Sequence, residues 1–161
     1  MCFSKKALAS TSSATIRRTA SCPAVNRAAR VFVRILREAI RGAGKDALQP
    51  RPWDGAARVR DIAAGTWRGK ARPQIKSSGY VIDTLEAALW CTSQSASFEE
   101  ALVLAVNLAG DADTVGAVTG QIAGAVFGAP SIPLHWLEPL AWRGRLETLA
   151  AQLVRLSDPS M

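Results

Sequence analysis

Apolar positions along the chain change their spacing several times, and each change marks an element. Residues 1–20 are polar, rich in Ser, Thr and Arg, with no periodic apolar positions; an irregular N-terminus is expected there. From Pro23 onward, Val25, Ala29, Phe32, Ile35, Leu36 and Ala39 recur at three- and four-residue spacing, with arginines on the other side. That pattern predicts an amphipathic helix running to about Arg41. Pro23 suits its first turn, and Gly42 and Gly44 suit its stop. Residues 45–76 are mixed, with a short helical piece around 56–64 and breaks at Pro50, Pro52, Gly65 and Gly69. Trp53 and Trp67 in this stretch are read as packing residues.

The downstream pattern is cleaner. Residues 80–91 predict a helix with Val81, Thr84, Leu85, Ala88 and Leu89 on one side. Ser97-Phe98-Glu99-Glu100 has the hydroxyl and carboxylate spacing of a capping box, opening a helix over 98–108 that Gly110 ends. A further helix is predicted over 113–127. Gly116, Gly120 and Gly124 recur there every fourth residue, leaving one face nearly bare backbone that a neighbouring helix or a ligand can approach closely. Left uncovered, that face would favour self-association. Pro130, Pro133 and Trp136 form a tight connection to a last amphipathic helix carrying Leu146, Leu149, Leu153 and Leu156. No segment alternates with period two, so the expected fold class is all-α, with one helical domain over 21–157 after the irregular segment 1–20.

Charge divides the chain. Residues 1–76 carry 17 Lys and Arg against 4 Asp and Glu, whereas residues 77–161 carry 3 against 9. A basic half suits a polyanion. Yet Arg27, Arg30, Arg34, Arg37 and Arg41 recur at helical spacing with no aromatic interleaving, the pattern of a solvated face rather than a nucleic-acid interface. Residues 114–137 lack charge, but Pro130 and Pro133 interrupt them, and the helical part of about 13 residues is too short to span a bilayer. Residues 1–21 lack the apolar core of a signal peptide. Cys2, Cys22 and Cys91 are an odd, scattered set without metal spacing; free thiols in a reducing, cytoplasmic compartment are expected.

Candidate chemistry is concentrated in Gly110-Asp111-Ala112-Asp113-Thr114, where two carboxylates and a hydroxyl fall between apolar segments. Two readings stand. Asp and Thr commonly cap and begin helices, and clustered oxygens suit a hard cation such as Mg²⁺. Two carboxylates and one hydroxyl do not complete a six-oxygen sphere, and the EF-hand spacing is absent. His135, the single histidine, lies between Pro133 and Trp136 and reads as a surface residue.

The wider pattern carries a family resemblance. Ser78-Gly79-Tyr80-Val81, then Thr84-Leu85-Glu86-Ala87-Ala88-Leu89-Trp90, then Asn107 through Thr114, then Gly120-Gln121-Ile122-Ala123-Gly124-Ala125, then Ile132-Pro133 and Trp136, follow in this order. This resembles the C-terminal half of the ADP-ribosylglycohydrolases, the family that includes the dinitrogenase-reductase-activating glycohydrolase. The match is densest over 77–155. A weaker one runs through Thr19, Pro23, residues 28–32 and residues 39–42. The resemblance implies an all-α domain that hydrolyses ADP-ribose from a modified protein or small acceptor with one or two Mg²⁺ ions. It implies that Asp111, Asp113 and Thr114 are metal ligands. It implies too that Ser78, Gly79 and Tyr80 line the ADP-ribose pocket, as an aromatic beside a glycine turn suits a base or ribose.

The family's Gly-Asp segment and Thr-Asp-Asp motif, which supply its remaining ligands, have no counterpart in residues 1–76, where Asp46, Asp54 and Asp61 stand isolated. Thr19-Ala20 also stands where the family often has Thr-His. The expectation is a truncated domain with an incomplete metal site, needing a complementing N-terminal chain or a homo-oligomer. The alternative is a non-catalytic helical module that binds ADP-ribose or a protein partner.

Overall fold

The computed structural model describes residues 23–157. The expected irregular segment 1–20, Thr19-Ala20, and Cys2 and Cys22 lie outside the described residues. Among the described residues, seven α-helices follow in order: α1 Pro23–Glu38, α2 Ala57–Ala63, α3 Val81–Gln94, α4 Phe98–Val106, α5 Ala112–Phe127, α6 Leu134–Leu137 and α7 Arg143–Ser157. No strand occurs among the described residues, and the fold is all-α.

Helix α3 is the centre. Every residue from Ile82 to Thr92 is buried. Helices α5, α4, α1 and α2 pack around it. A helix enclosed on all sides should be apolar all round, yet α3 carries Asp83 and Glu86, 6% and 5% exposed. Both are neutralised from the 45–76 stretch. Arg58 Nη2 donates to Asp83 Oδ1 at 2.6 Å, and Lys70 Nζ donates to Glu86 Oε1 at 2.5 Å. Trp90 Nε1 donates to the Lys70 carbonyl at 2.9 Å, holding the same segment down. Trp67 is fully buried as expected, its Nε1 donating to the Ile62 carbonyl at 3.0 Å. Cys91 is buried on α3, and burial pushes its thiol up to about 12, which leaves it unreactive.

Helix α1 departs from its sequence pattern in two ways. Regular α-helix ends at Glu38, and residues Ala39–Ala43 form a wider π turn that closes at Gly42, whose φ of 95° needs a glycine. The buried stripe is also rotated. Ala28, Val31, Ile35 and Ala39 enter the core, while Ala29 is exposed. The reason is visible in the packing. Ala29 borders a cavity of about 270 Å³ shared with α3 and α5, and Phe32 borders the same cavity while packing against the core.

Helix α4 opens as its capping box predicts. The Glu100 backbone N–H donates to Ser97 Oγ at 3.1 Å, and Glu100 Oε2 accepts from the Ala96 N–H at 2.7 Å. Helix α4 lies along the glycine stripe of α5. A Cβ added at Gly116, Gly120 or Gly124 would stand 3.6, 3.6 and 3.8 Å from Val106, Leu102 and Phe98. The stripe is thus a helix seam: of the two neighbours its bare backbone admits, a helix or a ligand, the structure shows the helix α4. Phe98 continues into a small second core with Ala101 and Ala123, against which Trp136 packs edge-on at 6.1 Å. Beyond it, α7 keeps Leu146, Leu149, Leu153 and Leu156 exposed.

The seam predicts opposite outcomes for two substitutions. Gly120→Ala places its methyl at ordinary contact distance and should leave stability unchanged or raise it by up to about 1 kcal/mol. Gly120→Leu must displace Leu102 and should cost about 2 kcal/mol. Urea unfolding followed by far-UV circular dichroism distinguishes them.

Candidate functional site

The site is built where the turn before α3 meets the link between α4 and α5. The link runs through Ala109 and Gly110, both left-handed at φ 63° and 68°. It is fixed to Ser77 by three contacts. The Asp111 N–H donates to the Ser77 carbonyl at 2.9 Å, while Ser77 Oγ donates to the carbonyls of Ala109 and, at 3.4 Å, Leu108. Arg72 donates to the Asn107 carbonyl just upstream. Two glycines make the approach possible. A Cβ at Gly110 would collide with the Ser77 carbonyl, and a Cβ at Gly79 would collide with Asp111 Oδ2.

This contact places the acidic cluster. Asp111 occupies the N-cap position of α5, but its side chain makes no capping hydrogen bond. The cap reading therefore does not account for Asp111. Its carboxyl is directed instead at the Cα of Gly79 and lies within hydrogen-bonding reach of the Asp113 carboxyl. Asp113 is exposed and accepts from the Thr114 N–H at 2.9 Å. The hydrogen bond with Asp111, then the Thr114 N–H, hold the Asp113 carboxyl below its ordinary range. The two carboxyl groups stand together at the positive end of α5, which favours negative charge there. Thr114 is exposed and borders the 270 Å³ cavity together with Gly79. Among the described residues, no group of three or more His, Cys, Asp or Glu converges to hold a metal.

Of the expected pocket residues, Gly79 is brought against Asp111 and borders the same cavity as Thr114. Ser78 and Tyr80 are held in other contacts. Ser78 Oγ donates to Asp83 Oδ2 at 2.7 Å, and the Ser78 carbonyl accepts from Thr84 Oγ1 at 3.0 Å. Tyr80 is half-buried, with Arg58 6.0 Å from its ring centroid. Asp83 thus joins Ser78 to Arg58. Burial is the largest single influence and opposes charge on Arg58, but the Asp83 hydrogen bond and the charges of Asp83 and Glu86 together outweigh it and raise the guanidinium above its ordinary value. Sequence reasoning did not single out Asp83 or Arg58. The signal available was an acidic residue at a position where the helix pattern is otherwise apolar. His135 is exposed, its ring edge-on to Trp136.

Gly110→Ala should lower stability by about 1–3 kcal/mol, because it combines a left-handed φ with a backbone collision. Asp83→Ala should cost about 2 kcal/mol by orphaning Ser78 and Arg58. Chemical denaturation checks both. A Gly110→Ala midpoint equal to wild type would contradict the close approach.

Comparison with known proteins adds to this geometry. The sequence model of the ADP-ribosylglycohydrolase family matches residues 1–160. The chain is 47% identical over 116 residues to the ADP-ribosylarginine hydrolase Tri1 of Pseudomonas putida (strain GB-1), covering 71% of this chain and 31% of that protein. It is 42% identical over 65 residues to the ADP-ribosyl-dinitrogen reductase glycohydrolase of Rhodospirillum rubrum, covering 40% of this chain and 22% of that one. A solved structure described as an ADP-ribosylglycohydrolase-related protein complex superimposes with a TM-score of 0.73 at 44% identity, over 81% of this chain and 46% of that chain. The chain therefore spans about a third or less of these two curated relatives. With the family model matching nearly its whole length and the same helical fold recurring in a solved relative, the chain belongs to the ADP-ribosylglycohydrolase family.

Proposed function

We propose that this chain forms the acidic half of an Mg²⁺-dependent site that hydrolyses ADP-ribose from a modified protein. The observation that carries the reading is the placement of Asp111. It is an N-cap carboxylate that caps nothing, pressed against Gly79 and within reach of Asp113. Asp111, Asp113 and the Thr114 hydroxyl are hard oxygen donors of the kind Mg²⁺ takes, and they fit it as part of a larger set. Bound there, the ion would polarise a ribose hydroxyl or a water.

The chain's own residues do the rest. Gly79 leaves room for the Asp111 carboxyl and borders the cavity of about 270 Å³ with Thr114, and the dipole of α5 favours anionic oxygens at its N-terminus. Asp83 and Thr84 hold the 78–80 turn in place, so that Tyr80 keeps a fixed position beside the sugar site. The names of the P. putida and R. rubrum relatives support an ADP-ribosylated protein as substrate, and the first supports arginine as the acceptor. No helix among the described residues is long and apolar enough to cross a membrane. The absence of a third converging ligand among the described residues favours a second reading for the chain by itself, binding without turnover. On the first reading, a complementing segment with the Gly-Asp and Thr-Asp-Asp motifs supplies the other ligands.

The test is release of ADP-ribose from an ADP-ribosylated arginine peptide, with the chain alone and with that segment added. Turnover should need both Mg²⁺ and the segment. Asp111→Ala with Asp113→Ala should reduce it by about a hundredfold or more. A double variant as active as wild type would exclude these carboxylates. ADP-ribose binding by the chain alone, with no turnover after complementation, would establish the binding module instead.

A further inference from the structure

Helix α7 stands clear of the core: every residue from Gly144 to Leu156 is exposed. A helix of its 15 residues is marginal alone in water, where packing of an apolar face usually supplies the stability. Such a face is present. Leu146, Leu149, Leu153 and Leu156 are 49%, 46%, 67% and 81% exposed. Trp142, 78% exposed, precedes the helix, and its carbonyl accepts from the Leu146 N–H at 3.0 Å, so it continues the same row.

The spacing of these five residues says what fits against them. They recur at intervals of four, three, four and three, the a and d positions of a heptad. On a helix of about 3.6 residues per turn they occupy about 80° of the circumference. A helix laid on a globular core presents an apolar stripe of about 100° or more. A row this narrow fits one helix alongside.

The charges identify that helix. The first turn of α7 carries Arg143 and Arg145 and no acidic residue, which is the wrong sign for the positive end of a helix. Arg143 is offset by Glu147, to which its Nε donates at 2.8 Å. Arg145 forms no ion pair among the described residues, and it flanks the apolar row. In an antiparallel pair of α7 helices centred near Ala151, Arg145 comes beside the C-terminal end of the second copy's α7. There the dipole is negative and the last carbonyls lack helical partners. The other flanking positions along the row, Ala150 and Gln152, are uncharged and do not repel a like copy. Apolar surface continues from Leu146 into the groove between α6 and α7, where Leu134 and Leu140 are exposed. Residues 134–157 thereby match in scale the about 20–30 residues that one side of a standard interface contributes.

We propose that two copies of this chain pair through α7, antiparallel about a two-fold axis, with Trp142 and the four leucines interdigitating. The pairing uses none of the residues at the acidic cluster and does not depend on the reading given for them.

Sedimentation equilibrium of the full chain tests this, and a reversible dimer is expected. Leu149→Asp, in the middle of the row, should weaken it about tenfold or more. Ala151→Asp, on the opposite face of α7, should change it by less than about twofold. Arg145→Glu leaves the leucines in place and should weaken it about threefold or more, which serves should Leu149→Asp unfold α7. Orientation is read by a short bismaleimide on a chain carrying Cys2→Ser and Cys22→Ser, Cys91 being buried. Gln152→Cys lies near the centre and should crosslink to its own copy, whereas Arg145→Cys should not. Equal crosslinking of the two would overturn the antiparallel pair. A dimer that Leu149→Asp leaves intact would overturn the proposal. So would a monomer at every concentration, which would leave α7 to be covered by the complementing segment. A monomer that collects on phosphatidylglycerol vesicles would overturn it too, making α7 a lipid-facing helix.

Discussion

Two segments far apart in sequence, residues 77–79 and 109–111, meet backbone to backbone. The position of the acidic cluster depends on that meeting. The Ser77 carbonyl accepts from Asp111, and the space of two absent Cβ atoms lets the chains close to this distance. Helix α3 begins immediately after the first segment, and α5 begins within the second. The same contact therefore joins the central helix of the core to the N-terminus of the helix that bears the carboxylates. The register of the site is held by one backbone–backbone bond, from the Asp111 N–H to the Ser77 carbonyl, together with the Ser77 hydroxyl on the Ala109 and Leu108 carbonyls.

A second layer keeps the first segment in shape. Asp83 is buried, and a buried carboxylate is tolerated only where its charge and lone pairs are met. Arg58 and Ser78 meet them, and through them a residue of α2 is tied to the turn that faces Asp111. Glu86 and Lys70 repeat the arrangement one turn along α3. The irregular stretch between α1 and α3 is thereby anchored by charge as much as by Trp67.

Much of this was legible in the sequence, for identifiable reasons. Ser97 and Glu100 act locally, so their spacing alone located the start of α4. Gly42 marked a stop because its positive φ is a local requirement. Asp111, Asp113 and Thr114 were recognisable as a cluster, but not whether Asp111 serves as a cap. That depends on Gly79, thirty-two positions away, which draws the carboxyl aside. The rotation of the α1 stripe was hidden because Ala28 and Ala29 are the same residue type, and only packing decides between them. The glycine stripe of α5 announced a close approach without naming the neighbour, since Phe98, Leu102 and Val106 look like ordinary core positions until the two helices are laid together.

That seam also governs where motion can enter the site. On the α5 side of it there are no rotamers to rearrange, so α4 and α5 cannot slide past one another by side-chain repacking alone. The two helices are joined at the Asp111 end by two consecutive left-handed residues, Ala109 and Gly110. The carboxylates are therefore set against the 77–79 turn by the conformation of a short backbone link that Ser77 holds in place.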